Sequence, residues 1–526
     1  MIQQLTPFTI LGVIALYFLV LIAISYFTGK KADNESFFIG NRQSPWIVVA
    51  FGMIGASLSG VTFISIPGKV GAEGVNQSFA YMQMVFGYLL GYVVIALILM
   101  PLYYRLKLTS IYGFLEQRLG VSAYKMGAAF FLLSRSIGAA FRLYLIAIVL
   151  NKFVMEPLGI PFWGTVLTTI GLIWVYTFKG GIKTIIWTDT LQTVCMLTAV
   201  VLTIFSIGNA LETNFVGIVE MVSQSEYAQV FYFEGGWSDP NNFFKQFISG
   251  ALITIVMTGL DQDMMQKNLS CKSIGDAQKN MFTFSVILVF ANLLFLSLGA
   301  LLYIYASNVG LEIPAATDEL YPMIALQHLS PVVGIVFILG LIAAAYSSAD
   351  SALTALTTSF CVDFLNFERE ARTEAEKQRI RLKVHIGFSI VLFVLILLFR
   401  LLNNDAVINQ LFKAAGYTYG PLLGLFCFGM FTNLKLREYL DLSNYQLTSW
   451  IPPAFQKVNL VAVICILAPI LSFIVDIYSS EVLYGFEFGF LIIALNGLLT
   501  FVGLLWISYR DYEEQLETYH HPEADV

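Results

Sequence analysis

The chain is 526 residues long, 57% hydrophobic and 12% charged, with 29 basic and 35 acidic side chains and a net charge of −6. That is more apolar surface than a water-soluble core can bury, so several membrane spans are expected, with the bilayer as solvent. No basic stripe offers a nucleic-acid footprint. The singly placed Cys195, Cys271, Cys361, Cys427 and Cys465 form neither metal-ligand spacing nor a disulfide framework.

Met1 to Pro7 holds no Lys or Arg ahead of the first apolar run. This argues against a cleaved signal peptide and for an uncleaved first helix starting outside. A spanning helix needs about 20 apolar residues. Reading for such runs gives 8–29, 45–70, 78–103, 123–154, 162–178, 184–207, 243–263, 279–307, 331–360, 383–402, 406–431, 458–478 and 484–508. The prediction is an all-α, polytopic membrane protein of about 13 transmembrane helices forming a single transporter domain over 1–526. It comprises an extra amino-terminal helix (8–29), a first repeat (45–207), a second repeat (243–431), two carboxyl-terminal helices (458–508) and a cytoplasmic tail (509–526).

Basic residues orient this chain. The segments on one side hold Lys30, Lys31, Arg42, Arg105, Lys107, Arg118, Lys179, Lys183, Lys267, Lys272, Lys279, the run from Arg369 to Lys383, Lys435, Arg437, Lys457 and Arg510. The two long loops assigned to the other side, 208–242 and 308–330, hold none. The positive-inside rule then puts the amino terminus outside and the carboxyl terminus in the cytoplasm of a plasma (inner) membrane protein.

Three spans are interrupted: Gly52, Gly55 and Gly60 before Pro67; Thr258-Gly259 before Asp261; and Gly416 through Gly420-Pro421 to Gly424. Broken helices survive at membrane depth only where protein or a water-filled cavity satisfies the freed backbone. The first two breaks lie five spans apart, in helices of opposite direction, which is the pattern of an inverted five-helix repeat with its binding site at the breaks.

Along 331–360, Ser347, Asp350, Ser351, Thr354 and Thr358 recur at helical spacing and make one polar stripe that cannot face lipid. Sodium is a hard cation that prefers oxygen ligands, and Ala344, Ser347 and Ser348 can supply a carbonyl and two hydroxyls. Small and hydroxyl residues also serve plain helix packing. Asp350 is a carboxylate at mid-membrane, costly unless it meets a partner or a cavity. Asp189 stands at the start of the sixth span, where it could also cap a helix. If the two acids converge they could share a cation or a proton. Arg135 and Arg142, seven residues apart, lie on one face of the fourth span about 10 Å apart along its axis. Either can recognise a carboxylate, and either can be consumed in a structural ion pair. No G-x-x-x-x-G-K-[ST] loop marks a primary pump. No nucleophile and base stand together at membrane depth to mark an enzyme.

Four motifs taken together resemble the sodium/solute symporter family, which includes the sodium/glucose, sodium/proline, iodide and sialic acid carriers. They are Ala343-Ala344-Ala345-Tyr346-Ser347-Ser348, Trp187-Thr188-Asp189-Thr190-Leu191-Gln192 after Gly180-Gly181, Asp261-Gln262-Asp263-Met264-Met265-Gln266-Lys267, and Gly420-Pro421-Leu422-Leu423-Gly424. The resemblance spans roughly 8–430 and implies a LeuT-like fold. It implies a sodium site of Gly55 and Leu58 carbonyls with Ala344, Ser347 and Ser348. It also implies a second cation or proton site of Asp189, Asp350 and Ser351 beside Ser347, although the family more often has Ser or Thr where this chain has Asp350. The segment Ser57 to Pro67 looks most like that of the sialic acid carriers, which implies substrate contacts at Ser57, Ser59, Thr62 and Gln83. Those carriers also use an arginine in the fourth span, but the register does not place Arg135 or Arg142 squarely on it.

The expectation is a sodium-coupled secondary active symporter importing a small polar solute, with sialic-acid-like, sugar-like and amino-acid-like carboxylates among the candidates. It needs no cofactor beyond sodium as coupling ion; its partners are sodium, solute and membrane lipid. The alternatives are a proton-coupled carrier using Asp189 and Asp350, and a membrane solute sensor.

Overall fold

A computed structural model of the chain describes residues 6–28, 37–38, 40–74, 76–236, 238–367, 372–402, 407–444 and 456–510. Lys30, Lys31, Arg369 and the tail beyond Arg510 lie outside the described residues.

The apolar runs fold as helices. They are α1 (Pro7–Thr28), α2 (Trp46–Ser57), α3 (Gly60–Lys69), α4 (Tyr81–Arg105), α5 (Val121–Leu158), α6 (Phe162–Thr177), α7 (Thr184–Ala210), α8 (Phe243–Gly259), α9 (Gln262–Leu269), α10 (Ile274–Val309), α11 (Pro331–Phe364), α12 (Glu374–Leu401), α13 (Val407–Thr418), α14 (Gly420–Phe431), α15 (Leu460–Val482) and α16 (Gly489–Trp506). Among the described residues, 9 helices are long and apolar enough to cross a membrane, and up to 11 if each bent pair is one span. The shorter apolar helices α6 and α14 fill the two remaining predicted positions. The bent pairs are α2 with α3, at 54°, and α8 with α9, at 63°, in the two places where glycine interrupts an apolar run.

Position follows pattern. In its most apolar window α11, the helix with the polar stripe, is 78% buried, whereas α12 is 17% and α15 22% buried. Leu16 and Leu19 of α1, Ile390 and Val394 of α12 and Ile466, Ile470 and Ile474 of α15 are exposed, an outer apolar face suited to lipid. The chain passes from α6 to α7 through Gly181, whose φ of +54° is left-handed. A side chain there would collide with the backbone of Phe37.

Loop contacts gather at two ends of the bundle. At one end Asn76 donates to Asp239 (2.6 Å), Gln83 reaches Asn241 (2.9 Å) and Lys152 pairs with Glu319 (2.6 Å). At the other, Arg42 donates to the Leu108 carbonyl, Tyr104 to that of Asn268, and Gln262 to that of Thr109. At this second end two short ribbons, Lys435–Leu436 with Ser508–Tyr509 and Tyr439–Asp441 with Lys457–Asn459, tie the last two helices to the bundle.

The third glycine run has a packing role beyond the break at Tyr419. Side chains at Gly416, Gly420 and Gly424 would strike Ile492, Asn496 and Thr500 of α16. Asn496 in turn donates to the Gly416 and Tyr417 carbonyls, satisfying backbone beside the interruption.

Candidate ion and solute site

The two helix breaks differ in who satisfies their backbone. At the α8–α9 break, Tyr103 and Tyr112 donate to the carbonyls of Gly259 (2.9 Å) and Leu260 (3.0 Å). Asp261 caps α9, accepting from the amides of Asp263 and Met264, and takes a further bond from Tyr419 (2.5 Å). Protein therefore closes this break. At the α2–α3 break Leu58 N–H still reaches Ile54, but Ser59 N–H turns to the Ser57 carbonyl, leaving that of Gly55 without its usual partner four residues on. Among the described residues no side chain donates to the carbonyls of Gly55 or Leu58.

α11 faces this open break. Ala344, Ser347 and Ser348 are buried, and neither serine hydroxyl makes a hydrogen bond within the protein. Thr357 and Thr358 on the same helix donate to carbonyls four residues back, at 2.6 and 2.8 Å, as helical hydroxyls commonly do. Two idle hydroxyls at full burial are a cost that a cation ligand would remove. Gly55 is where the elements meet. A methyl group there would overlap Thr193 and stand 3.0 Å from the Asp189 carbonyl and 3.1 Å from Ser347 Oγ. Gly55→Ala is therefore expected to push the break away from α11 and weaken sodium binding at least about tenfold, a loss of about 1.4 kcal/mol, readable as a right-shifted sodium titration. Unchanged sodium affinity would mean that Gly55 does not approach the ion.

Each residue expected at the second cation site has a protein partner, although Asp189 Oδ1 is buried without a hydrogen bond. Asp189 Oδ2 pairs with Lys267 Nζ at 2.7 Å, both side chains 0% exposed. Asp350 accepts from Tyr176 (2.8 Å) and from the Ser351 amide (2.5 Å). The Ser351 hydroxyl is donated to Asp263, which also pairs with Arg135.

Beside the first break lies a cavity of about 90 Å³, lined by Ser57, Leu58, Ser59 and Thr62 of the broken span, by Arg135 and Arg142 of α5, and by Tyr81, Tyr88 and Tyr92 of α4. Thr254 and Thr258 of α8 and Asn292 of α10 complete its polar lining. The two arginines have different tasks. Arg135 pairs with Asp263, whereas Arg142 is buried and makes no salt bridge among the described residues; the Nε of each has no hydrogen-bond partner. Gln83 does not line the cavity: its amide donates to Asn241 and Ala80 and accepts from the Tyr232 amide, pinning the loop above it. The three tyrosines were not singled out in the sequence, although their spacing of seven and four residues places them on one helical face. Lys267 and Tyr176 carried no such signal.

Comparison with known proteins places this geometry. The sodium:solute symporter family profile matches residues 37–436, and the chain belongs to that family. It is 27% identical to a sodium/sialic acid symporter of Aliivibrio fischeri over 77% of this chain and 79% of the relative. To the human sodium/iodide cotransporter it is 24% identical over 80% of this chain and 65% of the relative. A solved sodium-coupled sialic acid symporter, in a substrate-bound outward-open state, superimposes with a TM-score of 0.76 at 20% identity, covering 94% of this chain and 96% of that one. The fold is the LeuT-like architecture that the family resemblance implies.

Proposed function

We propose that the protein is a sodium-driven importer of a small organic anion. The observation that carries the anion is Arg142: a buried guanidinium lining the cavity that makes no salt bridge among the described residues, while its neighbour Arg135 pairs with Asp263. An unpaired buried charge costs several kcal/mol, and an anionic solute would supply the missing partner. That relatives carry sialic acid and iodide, both anions, supports the same reading.

Sodium is held by the carbonyls of Gly55, Leu58 and Ala344 and the hydroxyls of Ser347 and Ser348. It ties the loose end of α2 to α11, and in doing so fixes Ser57, Ser59 and Thr62 around the solute. Solute and ion thereby favour each other's binding, a linkage that is reciprocal. Rocking of the helix bundle about the fixed site then gives alternating access. The amino terminus is outside and the carboxyl terminus in the cytoplasm of the plasma membrane, a placement supported by the absence of Lys and Arg from the long loops 208–242 and 308–330. The proton-driven alternative loses support because Asp189 and Asp350 both have protein partners.

The test is a thermal-shift screen of the purified carrier against carboxylates and inorganic anions, with and without sodium. A solute at 100 times its Kd adds about 2.7 kcal/mol to the folded state. Stabilisation by an anion that needs sodium is expected; stabilisation only by neutral or cationic solutes would remove the anion assignment.

A further inference from the structure

We propose that the Lys267 ammonium is a built-in cation that takes the place of a second sodium at Asp189, so that the carrier binds one sodium per cycle. The inference rests on the sodium site proposed at Ser347 and Ser348 and concerns what stands next to it. Ser347 Oγ and the Asp189 backbone carbonyl both stand beside Gly55, and the side chains of these neighbouring residues have opposite characters. The Ser347 and Ser348 hydroxyls are buried and unpartnered, as ligands awaiting an ion would be. The Asp189 carboxylate already holds a cation, the 2.7 Å contact to Lys267 Nζ, with neither side chain exposed. An N⁺–H···O⁻ distance of about 2.7–2.9 Å is that of a charge-assisted bond, and a lysine ammonium is a compact point charge much as a sodium ion is. Being covalently attached, it is present at high effective concentration whatever the sodium level outside.

The second site's other groups are withdrawn in the same way. Ser351 gives its hydroxyl to Asp263, whose charge Arg135 balances, and Asp350 is held by Tyr176 and the Ser351 amide. Lys267 and Asp263 both project from α9, immediately after the second helix break. One short helix therefore supplies the ammonium that balances Asp189 and the carboxylate that occupies Ser351. One sodium moving with one monovalent anion carries no net charge, so the same assignment makes transport of such a solute electroneutral.

Sodium itself is the probe. Saturable binding of ²²Na⁺ to the purified full-length carrier is expected to give one ion per chain, and Lys267→Gln, which frees the Asp189 carboxylate, to give two. Lys267→Arg keeps one, and Asp189→Asn combined with Lys267→Gln returns the count to one. Two ions in the wild type, falling to one in that double variant, overturn the inference and leave the Ser347 site standing; so does a count of one in Lys267→Gln. No sodium bound by the wild type overturns the sodium-site reading beneath it. Should Lys267→Gln fail to fold, the wild type and the neutral double variant decide: one and one supports the inference, two and one overturns it.

Discussion

Replacing Ser347 and Ser348 together by alanine is expected to abolish sodium-driven uptake while leaving the protein folded. Both hydroxyls are buried and neither makes a hydrogen bond of ordinary geometry to the protein, so stability should change by less than about 1 kcal/mol. Their loss falls on the ion. An interaction with a charged group contributes about 1.5–3 kcal/mol, so two lost ligands raise the sodium requirement by about 10²- to 10⁴-fold. Sodium titration of uptake, beside a melting curve taken without sodium, separates the two effects. A variant that melts normally and keeps wild-type sodium affinity would show that the idle hydroxyls face no ion.

The arginines of α5 give the second large contrast. Arg142→Gln is expected to lower solute uptake by about 10- to 150-fold, because a charged hydrogen bond to the solute is lost, with little change in melting temperature. Arg142→Lys should recover only part, since an ammonium cannot form the paired bonds of a guanidinium. Arg135→Gln should do the opposite in its first effect. It leaves Asp263 buried and uncompensated, at a cost of about 3–5 kcal/mol, and loosens Ser351 as well. Melting temperatures that fall for Arg142→Gln and hold for Arg135→Gln would reverse the assignment of the two.

Much of this fold was legible because membrane burial makes sequence explicit. Apolar length set the spans, and glycine clusters beside Ser57 and Thr258 marked the breaks, where the chain bends by 54° and 63°. The polar stripe required α11 to face inward, and it is among the most buried helices. Pairing between distant helices was not legible. Arg135 and Arg142 share a helical face, yet only the rotation of α5 against α9 decides which meets Asp263. In the same way the motif from Asp261 to Lys267 was visible, but that its lysine reaches Asp189, 78 positions earlier, depends on how α7 and α9 cross. Gly416, Gly420 and Gly424 showed an interruption in the sequence; that they also admit α16 required the packed structure. Gln83 matched a substrate contact by position, but the outer loop already uses both ends of its amide.

Sodium coupling at the open break is the central claim, and uptake into proteoliposomes with an imposed gradient tests it most directly. With an anionic solute identified by thermal shift, an inward sodium gradient is predicted to drive accumulation above the outside concentration. Collapsing that gradient should reduce uptake to equilibration, and Ser347→Ala with Ser348→Ala should give the same loss with the gradient intact. Accumulation that persists without sodium, or that a pH gradient alone sustains, would contradict the account.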